Sequence, residues 1–414
     1  MHPRIFSRDQ HPISRKQMPE EVLKVLYRLR NTGHIAYLCG GGVRDLLLGR
    51  TADDFDVATD AHPKRLKEVF RNCRLVGRRF RIAHIFFKGQ KIIEVSTFRK
   101  QADGEMESAK GGQSFLIRKD NTFGTPADDA FRRDFTINGL YYNIRDFSLI
   151  DYVGGLEDLE ARLIRAIGDP DVRFQEDPVR ILRGIRLAAF LGFRIEKFTW
   201  EAMIRQKNHI WECAPARITE EVMKILRRGQ AQQAFRMMSA CGILELLFPA
   251  LVEFLQAASQ TDRTAFWLHL KALDGLLQNR TEFSDPLLLS TLLVSPVTVF
   301  MKNLSPGCDI GQALRHFIGT YFEKLTLSRF TRSQTLLLLL ALRHMLTPRR
   351  RRRRNLRKSP IFKEALNLLE IHCLATDQHW PVFKHWKNPS KSQQRQRHSR
   401  KKSWISIAAG GRNS

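Results

Sequence analysis

Two carboxylates one residue apart, Asp54 and Asp56, close the stretch Leu38-Cys-Gly-Gly-Gly-Val-Arg-Asp-Leu-Leu-Leu-Gly-Arg-Thr-Ala-Asp-Asp-Phe-Asp56. Glycines such as Gly41 and Gly42 let the backbone come close to a triphosphate, and Arg44 adds a cation at the start of the expected helix. Asp54 and Asp56 offer the hard oxygen ligands that Mg²⁺ prefers. On an extended segment, residues i and i+2 share a face roughly 7 Å apart, which would turn Phe55 into the core. Such a pair can clasp two Mg²⁺ ions, which two-metal sites hold about 3.5–4 Å apart. A phosphate cradle beside a metal site is the equipment of nucleotidyl transfer. An isolated D-x-D is more often two acids in a surface loop. The glycine run and the Arg44-Asp45 helix start argue against that here.

A second constellation is Asp129-Ala-Phe-Arg132-Arg133-Asp134-Phe-Thr-Ile-Asn138. Asp134 is a candidate third carboxylate, and Glu94, in Ile92-Ile-Glu-Val, competes for that role. Arg132, Arg133 and Asn138 are candidates to hold triphosphate or ribose; the plainer reading is a surface Arg–Asp cluster. A third is Glu176-Asp-Pro-Val-Arg180. Asp177 before Pro178 has the form of a helix N-cap with proline at the first helical position. It also has the chemistry of base reading. A carboxylate accepts from the amino group of adenine or cytosine, and the Arg180 guanidinium donates to the adjacent ring nitrogen; guanine and uracil present the opposite pattern. Arg180, Arg183 and Arg186 form a cationic stripe on the expected helix. His84 is read as a strand residue packed near the site rather than as a general base.

Positioning these groups requires short strands and helices before residue 150. Apolar spacing predicts a helix over Glu20 to Arg30 and buried strands over Ile35 to Cys39 and Phe55 to Ala58. Val43 to Leu48 and Pro63 to Asn72 read as helices. Ile82 to Phe87 and Lys91 to Phe98 read as a hairpin around Lys88-Gly-Gln90. Thr136 to Ile144 and Leu149 to Val153 are expected strands, residues 1–20 a loose basic arm, and 100–124 a mobile loop. From about Gly155 the pattern turns helical, so an α/β head precedes an all-α remainder. The expected divisions are 1–20 (arm), 21–154 (head), 155–228 (helical neck), 229–347 (helical body) and 348–414 (basic tail, partly disordered).

The 414-residue chain carries a formal net charge of +27, an excess that points to a polyanionic partner, nucleic acid first. Arg349, Arg350, Arg351, Arg352, Arg353 and Arg354 form an unbroken run. With the Lys391 to Lys402 tract, they are expected to tether RNA electrostatically. Trp380, Phe383 and Trp386 have base-stacking chemistry but read better as anchors of a last helix. No apolar run approaches the roughly 20 residues of a membrane span. The N-terminus lacks a secretory apolar core. The six cysteines have no C-x-x-C spacing, so a zinc site or disulfide framework is not expected, and a cytoplasmic setting is.

In order, Gly40–Asp56, Asp129–Asn138, Asp151–Asp158, Glu176–Arg180 and Arg217–Glu221 resemble the five motifs of the class II nucleotidyltransferases. That family contains bacterial poly(A) polymerases and CCA-adding tRNA nucleotidyltransferases. The resemblance covers about residues 20–250. Leu75-Val-Gly-Arg-Arg-Phe-Arg-Ile-Ala-His84 with Ile93-Glu-Val-Ser-Thr-Phe-Arg99 is similar to the poly(A) polymerase branch, as are Arg71-Asn-Cys-Arg-Leu and the basic tail. Gly139 departs from the family pattern, which usually has Ala or Ser there.

The resemblance implies a DNA polymerase β-like palm followed by helical neck and body, with Asp151–Asp158 as hinge and Arg217–Glu221 bracing the neck. It implies template-independent addition of AMP from ATP to single-stranded RNA 3′ ends. Two Mg²⁺ would be held by Asp54 and Asp56 with help from Asp134. Gly41, Gly42, Arg44, Arg132, Arg133, Asn138, Asp177 and Arg180 would bind ATP. The expected protein is a monomer, with RNA-decay proteins as partners. CCA addition to tRNA is the sister alternative. An RNA-binding adaptor without catalysis is the alternative of another class.

Overall fold

The computed structural model describes residues 2–52, 54–77, 81–100, 123–279, 282–305, 307–347 and 356–388. Nearly all of the expected 100–124 loop, the Arg349–Arg354 run and the Lys391–Lys402 tract lie outside the described residues. The chain divides into two compact units, Met1–Glu221 with Ala240–Ile243, and Val222–Ser239 with Leu244–Ser414.

The first unit is built on an eight-stranded sheet. Its strands are β1 (Arg4–Phe6), β2 (Ala36–Cys39), β3 (Asp56–Thr59), β4 (Cys73–Val76), β5 (Ile82–Phe86), β6 (Ile92–Thr97), β7 (Leu140–Asn143) and β8 (Leu149–Asp151), in the order β1-β8-β7-β2-β3-β6-β5-β4. Every pairing is antiparallel except β3 with β6. A parallel pair needs a long crossover, here made by α3 (Pro63–Val69) and strands β4 and β5.

Helix α1 (Glu20–Asn31) buries Val22, Val25, Leu26 and Leu29 along one face. Glu20 and Glu21 in its first turn, and Arg28 and Arg30 in its last, complement the helix dipole. Together α1 and α3 pack on one side of the sheet, where Val57, Ala83, Ile85, Ile93 and Val95 are buried. On the other side Cys39, Ala58, Phe98, Ala130, Tyr141 and Ile150 form a second cluster. Ala130 there comes from α4 (Pro126–Phe131).

Two expectations need correction. Residues 2–20 are not a loose arm: β1 pairs with β8 from Arg4↔Asp151 to Phe6↔Leu149. Burial of His11, Ile13 and Met18, and the His11 Nε2–Phe147 O contact at 2.9 Å, tie down the rest. A few apolar anchors, sparse in sequence, were enough. The segment from Thr136 is not continuous strand, because Thr136–Asn138 makes a 3-10 turn before β7. Strand β4 was hidden by Arg74, which breaks its apolar pattern.

After Asp151, α5 (Gly155–Glu160), α6 (Pro170–Glu176), α7 (Val179–Leu191), α8 (Lys197–Gln206) and α9 (Pro215–Arg227) follow. One small parallel pair, Leu163–Ile164 with Arg194–Ile195, interrupts the helical run.

In the second unit, helices Gln260–Asn279, Asp285–Lys302, Arg329–Leu346 and Phe362–Thr376 pack on one another. By length and composition Asp285–Lys302 could cross a membrane. Its residues Pro286 to Val297 are instead buried within the unit, as befits a core helix. Phe383 and Trp386 are also buried, and Trp386 Nε1 donates to Met345 O at 3.3 Å. These two rings are structural anchors.

The same unit holds a buried histidine pair, His269 Nε2 to His372 Nδ1 at 3.1 Å. Burial depresses both, to about 3 and about 4. The folded state therefore refuses protons that the unfolded chain takes up near pH 6.5. Full stability is present above that pH and is lost as pH falls toward 4. Asp274, raised by burial to about 6, works in the opposite direction. Urea titrations at pH 7.5 and pH 5 are expected to show a larger acid loss for wild type than for His269→Gln/His372→Gln.

Candidate active site

A cavity of about 860 Å³ opens in the first unit, within the range of small-molecule sites. Its walls include Gly40, Gly41, Asp56, Glu94, Arg132, Arg133, Asp134, Asn138, Asp177 and Arg180. Residues from all three chemical constellations therefore share one space.

The glycine bend sits where β2 hands over to α2 (Gly41–Leu47). Gly40 has φ +72°, and a Cβ there would lie 3.1 Å from an Arg133 guanidinium nitrogen and 3.6 Å from Asp56 Oδ2. A Cβ on Gly42 would meet the Asp54 carbonyl oxygen at 2.9 Å. The bend and the D-x-D thus touch: Gly42 has no room for a side chain, and the positive φ of Gly40 disfavours one. Gly42→Ala is expected to displace the Asp54–Asp56 segment. A shift of this kind can cost about 100-fold in turnover, which steady-state kinetics would measure with circular dichroism as control for fold.

Asp54 precedes β3 rather than lying on it, but the alternation holds: Asp54 and Asp56 are exposed and Phe55 is buried. Asp56 lines the cavity, whereas Asp54 does not. Opposite Asp56 in register stands Glu94 on β6. Desolvation, then the negative charge of Glu94, push the Asp56 carboxyl up to about 6. Arg133 and Arg183 oppose this, and Asp54 adds to it. Carboxylates gathered at such a cost suit a divalent cation. Mg²⁺ takes one or two carboxylates and completes its shell with substrate phosphate and water.

Asp134 does not join this group. It is buried, its Oδ2 is 2.7 Å from Arg183, and its Oδ1 accepts from Asn138 Nδ2 at 3.1 Å and Phe135 N at 2.8 Å. Despite burial, Arg183 and these hydrogen bonds hold it down at about 2. Arg44 also departs from expectation. It is buried, outside the cavity lining, and donates to Asp45 Oδ1 (2.9 Å) and Asn138 Oδ1 (2.8 Å). Arg44 and Asn138 brace the glycine bend against the Thr136–Asn138 turn, and Gly42 is likewise buried outside the lining.

Arg132 and Arg133 reach the cavity from one anchor. Asp129, fully buried, accepts from Arg132 Nε (2.9 Å), Arg133 Nη2 (3.0 Å) and Tyr141 Oη (2.8 Å). Arg133 Nε donates to Tyr141 Oη at 3.0 Å, and its guanidinium lies 5.1 Å from that ring's centroid. The anchoring role of Asp129 is not evident from the motif alone. Its i+3 and i+4 spacing to the two arginines was the available signal.

Asp177 is not the N-cap of α7, a position that Pro178 takes. It is the C-cap of α6, and its carboxylate takes a bidentate pair from Arg217 at 2.9 and 2.8 Å. Arg180 donates to Arg173 O (2.9 Å) and Glu176 Oε2 (3.1 Å). Arg186 meets Glu221 at 2.8 Å. The arginine stripe of α7 is therefore engaged residue by residue. In the Asp151–Asp158 segment, Asp151 accepts from the backbone of Val153, Gly155 and Leu156, each at 3.0 Å. At Gly139 a Cβ would lie 2.5 Å from Val153 Cγ2, so the valine fills the space that a larger residue would need.

Residues 36–165 match the family model described as Poly A polymerase head domain, and 192–255 match that described as Probable RNA and SrmB-binding site of polymerase A. Poly(A) polymerase I of Salmonella typhi is 42% identical over 309 residues, 73% of this chain and 66% of the relative. The chain belongs to the nucleotidyltransferase family of poly(A) polymerases and CCA-adding enzymes. Poly(A) polymerase I of Escherichia coli O157:H7 is 47% identical over 253 residues, covering 60% of this chain and 54% of the relative. The CCA-adding enzyme of Bacillus pumilus is 34% identical over 240 residues, 58% of each chain. The chain thus spans between half and two thirds of the length of these relatives. Among solved structures, the Bacillus stearothermophilus CCA-adding enzyme in complex with CTP superposes with a TM-score of 0.61. At 22% identity, it covers 89% of this chain and 82% of its own, a likeness of fold.

Proposed function

We propose that the chain is a template-independent polynucleotide adenylyltransferase, joining AMP from ATP to RNA 3′ ends and releasing pyrophosphate. The observation that carries this reading is Asp56 beside Glu94, against the glycine bend, in a cavity whose other walls hold Arg132, Arg133, Asp177 and Arg180. Asp54, Asp56 and Glu94 would hold Mg²⁺, with Glu94 rather than Asp134 as the third carboxylate. Bound Mg²⁺ lowers the pKa of an attacking hydroxyl and neutralises charge on the triphosphate. Arg132 and Arg133, fixed by Asp129, orient the triphosphate beside Gly41, so the leaving pyrophosphate departs into a cationic wall. Asp177 keeps lone pairs for an adenine amino group while Arg217 holds its plane, and Arg180 donates to the neighbouring ring nitrogen.

Adenylation of general RNA is favoured over CCA addition because the poly(A) polymerase relatives stand at 42 to 47% identity and the CCA-adding relative above at 34%. The enzyme acts as a monomer on single-stranded RNA in the cytoplasm, its tails marking RNA for decay. The Arg349–Arg354 run adds electrostatic affinity for RNA. A short RNA and a tRNA lacking its terminal CCA, each given ATP, CTP or both, test the reading. Long adenylate tails on both RNAs are expected. Arrest after C-C-A on tRNA alone would assign the sister activity, and absence of pyrophosphate release with RNA binding retained would make the chain an adaptor.

A further inference from the structure

The sheet carries a second feature on the face that holds Asp56. Four side chains stand in one row across adjacent strands: Asp56 opposite Glu94, Glu94 opposite His84, and His84 opposite Arg74. Strands lie about 4.8 Å apart, so the row runs about 14 Å from the carboxylates to the β4 edge. Along it the charge changes from negative to positive. His84 Nε2 lies 3.4 Å from Glu94 Oε1 and its ring meets Phe86 edge-on, with centroids 6.4 Å apart. By the alternation of the strands, Ile82, Phe86, Ile92 and Val76 share this face. Phe86, Ile92 and Val76 are 40%, 45% and 41% exposed. The opposite face is packed shut under α1 and α3, where Ala83, Ile85, Ile93 and Val95 are buried. Among the described residues no helix packs on this apolar and aromatic part of the sheet, and such a surface is costly to leave in water.

We infer that this face of the β4–β5–β6 hairpins is the track for the acceptor strand. It would seat the last nucleotides of a single-stranded RNA so that the terminal 3′-hydroxyl arrives at Asp56 and Glu94. Three properties select RNA as the occupant. The face is continuous with the reaction cavity, of which Ile82, Glu94 and Ser96 are lining residues. It joins rings and apolar side chains to a cation, the combination that binds single strands by stacking and phosphate contact. Arg74 adds positive charge on the face itself, and exposed Arg71 and Arg81 lie next to its strands in sequence. His84 is a positioning residue in this arrangement: it spans Glu94 on the metal side and Phe86 on the stacking side. ATP and acceptor then approach from different walls, the triphosphate from Arg132 and Arg133, the RNA from the hairpins.

The inference rests on the adenylyltransferase reading for its occupant, but its test does not require turnover. A single-stranded RNA with 4-thiouridine one nucleotide from its 3′ end is irradiated with the full chain in the absence of Mg²⁺ and ATP. Crosslinks are expected within residues 74–92; crosslinks confined to other segments would overturn the track. In kinetics, Arg74→Gln/Phe86→Ser is expected to raise the KM for RNA at least tenfold while the KM for ATP stays within twofold. Loss of one phosphate contact should also reduce the salt slope of RNA binding by about 0.7. Unchanged KM for RNA, or equal rises in both KM values, contradicts the proposal. Crosslinking within 74–92 by a wild-type chain that never extends RNA would leave the track standing and remove the catalytic reading instead.

Discussion

Asp56→Asn is expected to abolish nucleotidyl transfer while leaving the fold intact. The substitution keeps shape and removes the charge that a divalent cation needs. Charge stabilisation by metal is worth several kcal/mol in such reactions, so a fall of about a thousandfold or more follows, at about 1.4 kcal/mol per tenfold. Stability should move the other way. Desolvation and the neighbouring acids raise the Asp56 carboxyl to about 6, so in the wild type the folded state binds a proton more tightly than the unfolded chain does. By linkage this group adds stability as pH falls through 6 and withdraws it above. The neutral amide escapes that penalty, and Asp56→Asn should melt at or above the wild-type temperature at pH 7.5. Without substrate, Mg²⁺ should raise the wild-type Tm and not that of the variant.

Asp129→Ala is expected to do the reverse, damaging fold and activity together. Its carboxylate is the common acceptor for Arg132, Arg133 and Tyr141 and has no exposed surface. Removing one member of a buried ionic network leaves the others uncompensated, typically at about 3–5 kcal/mol. Two arginines would then lose the geometry that points them into the cavity. Tyr141→Phe, which deletes the two hydrogen bonds of its hydroxyl, to Asp129 and from Arg133, should cost about 2 kcal/mol and raise the KM for ATP more than it lowers kcat. Chemical denaturation of both variants beside ATP kinetics would separate the structural share from the binding share.

What could be read from sequence followed the range of each signal. Helix α1, strands β2 and β3 and the β5–β6 hairpin were legible because their patterns are local: apolar spacing, glycine turns, alternation. Partner choice within the site was not. Both Asp134 and Glu94 are acids near basic residues in sequence, and only the β3–β6 register places Glu94 beside Asp56 and leaves Asp134 to Arg183. Arg44 looked like a phosphate ligand because it starts a helix after glycines. It is buried instead, since Asn138, 94 residues away in sequence, accepts its guanidinium. The Asp177 carboxylate does not cap α7 because Arg217, 40 residues on, engages it. Strand β1 was illegible for the same reason: three residues carry no periodicity, and their pairing partner lies at 149–151.

Metal holding by Asp54, Asp56 and Glu94 beside the glycine bend, proposed above, is open to a direct test. Mn²⁺ titration followed by electron paramagnetic resonance, with and without ATP, tests it without any RNA. Tight Mn²⁺ uptake that strengthens with ATP is expected for the wild type. It should be weakened at least tenfold in Glu94→Gln and lost in Asp56→Asn, while Asp134→Asn keeps it. Equal Mn²⁺ binding by wild type and Asp56→Asn would contradict the account.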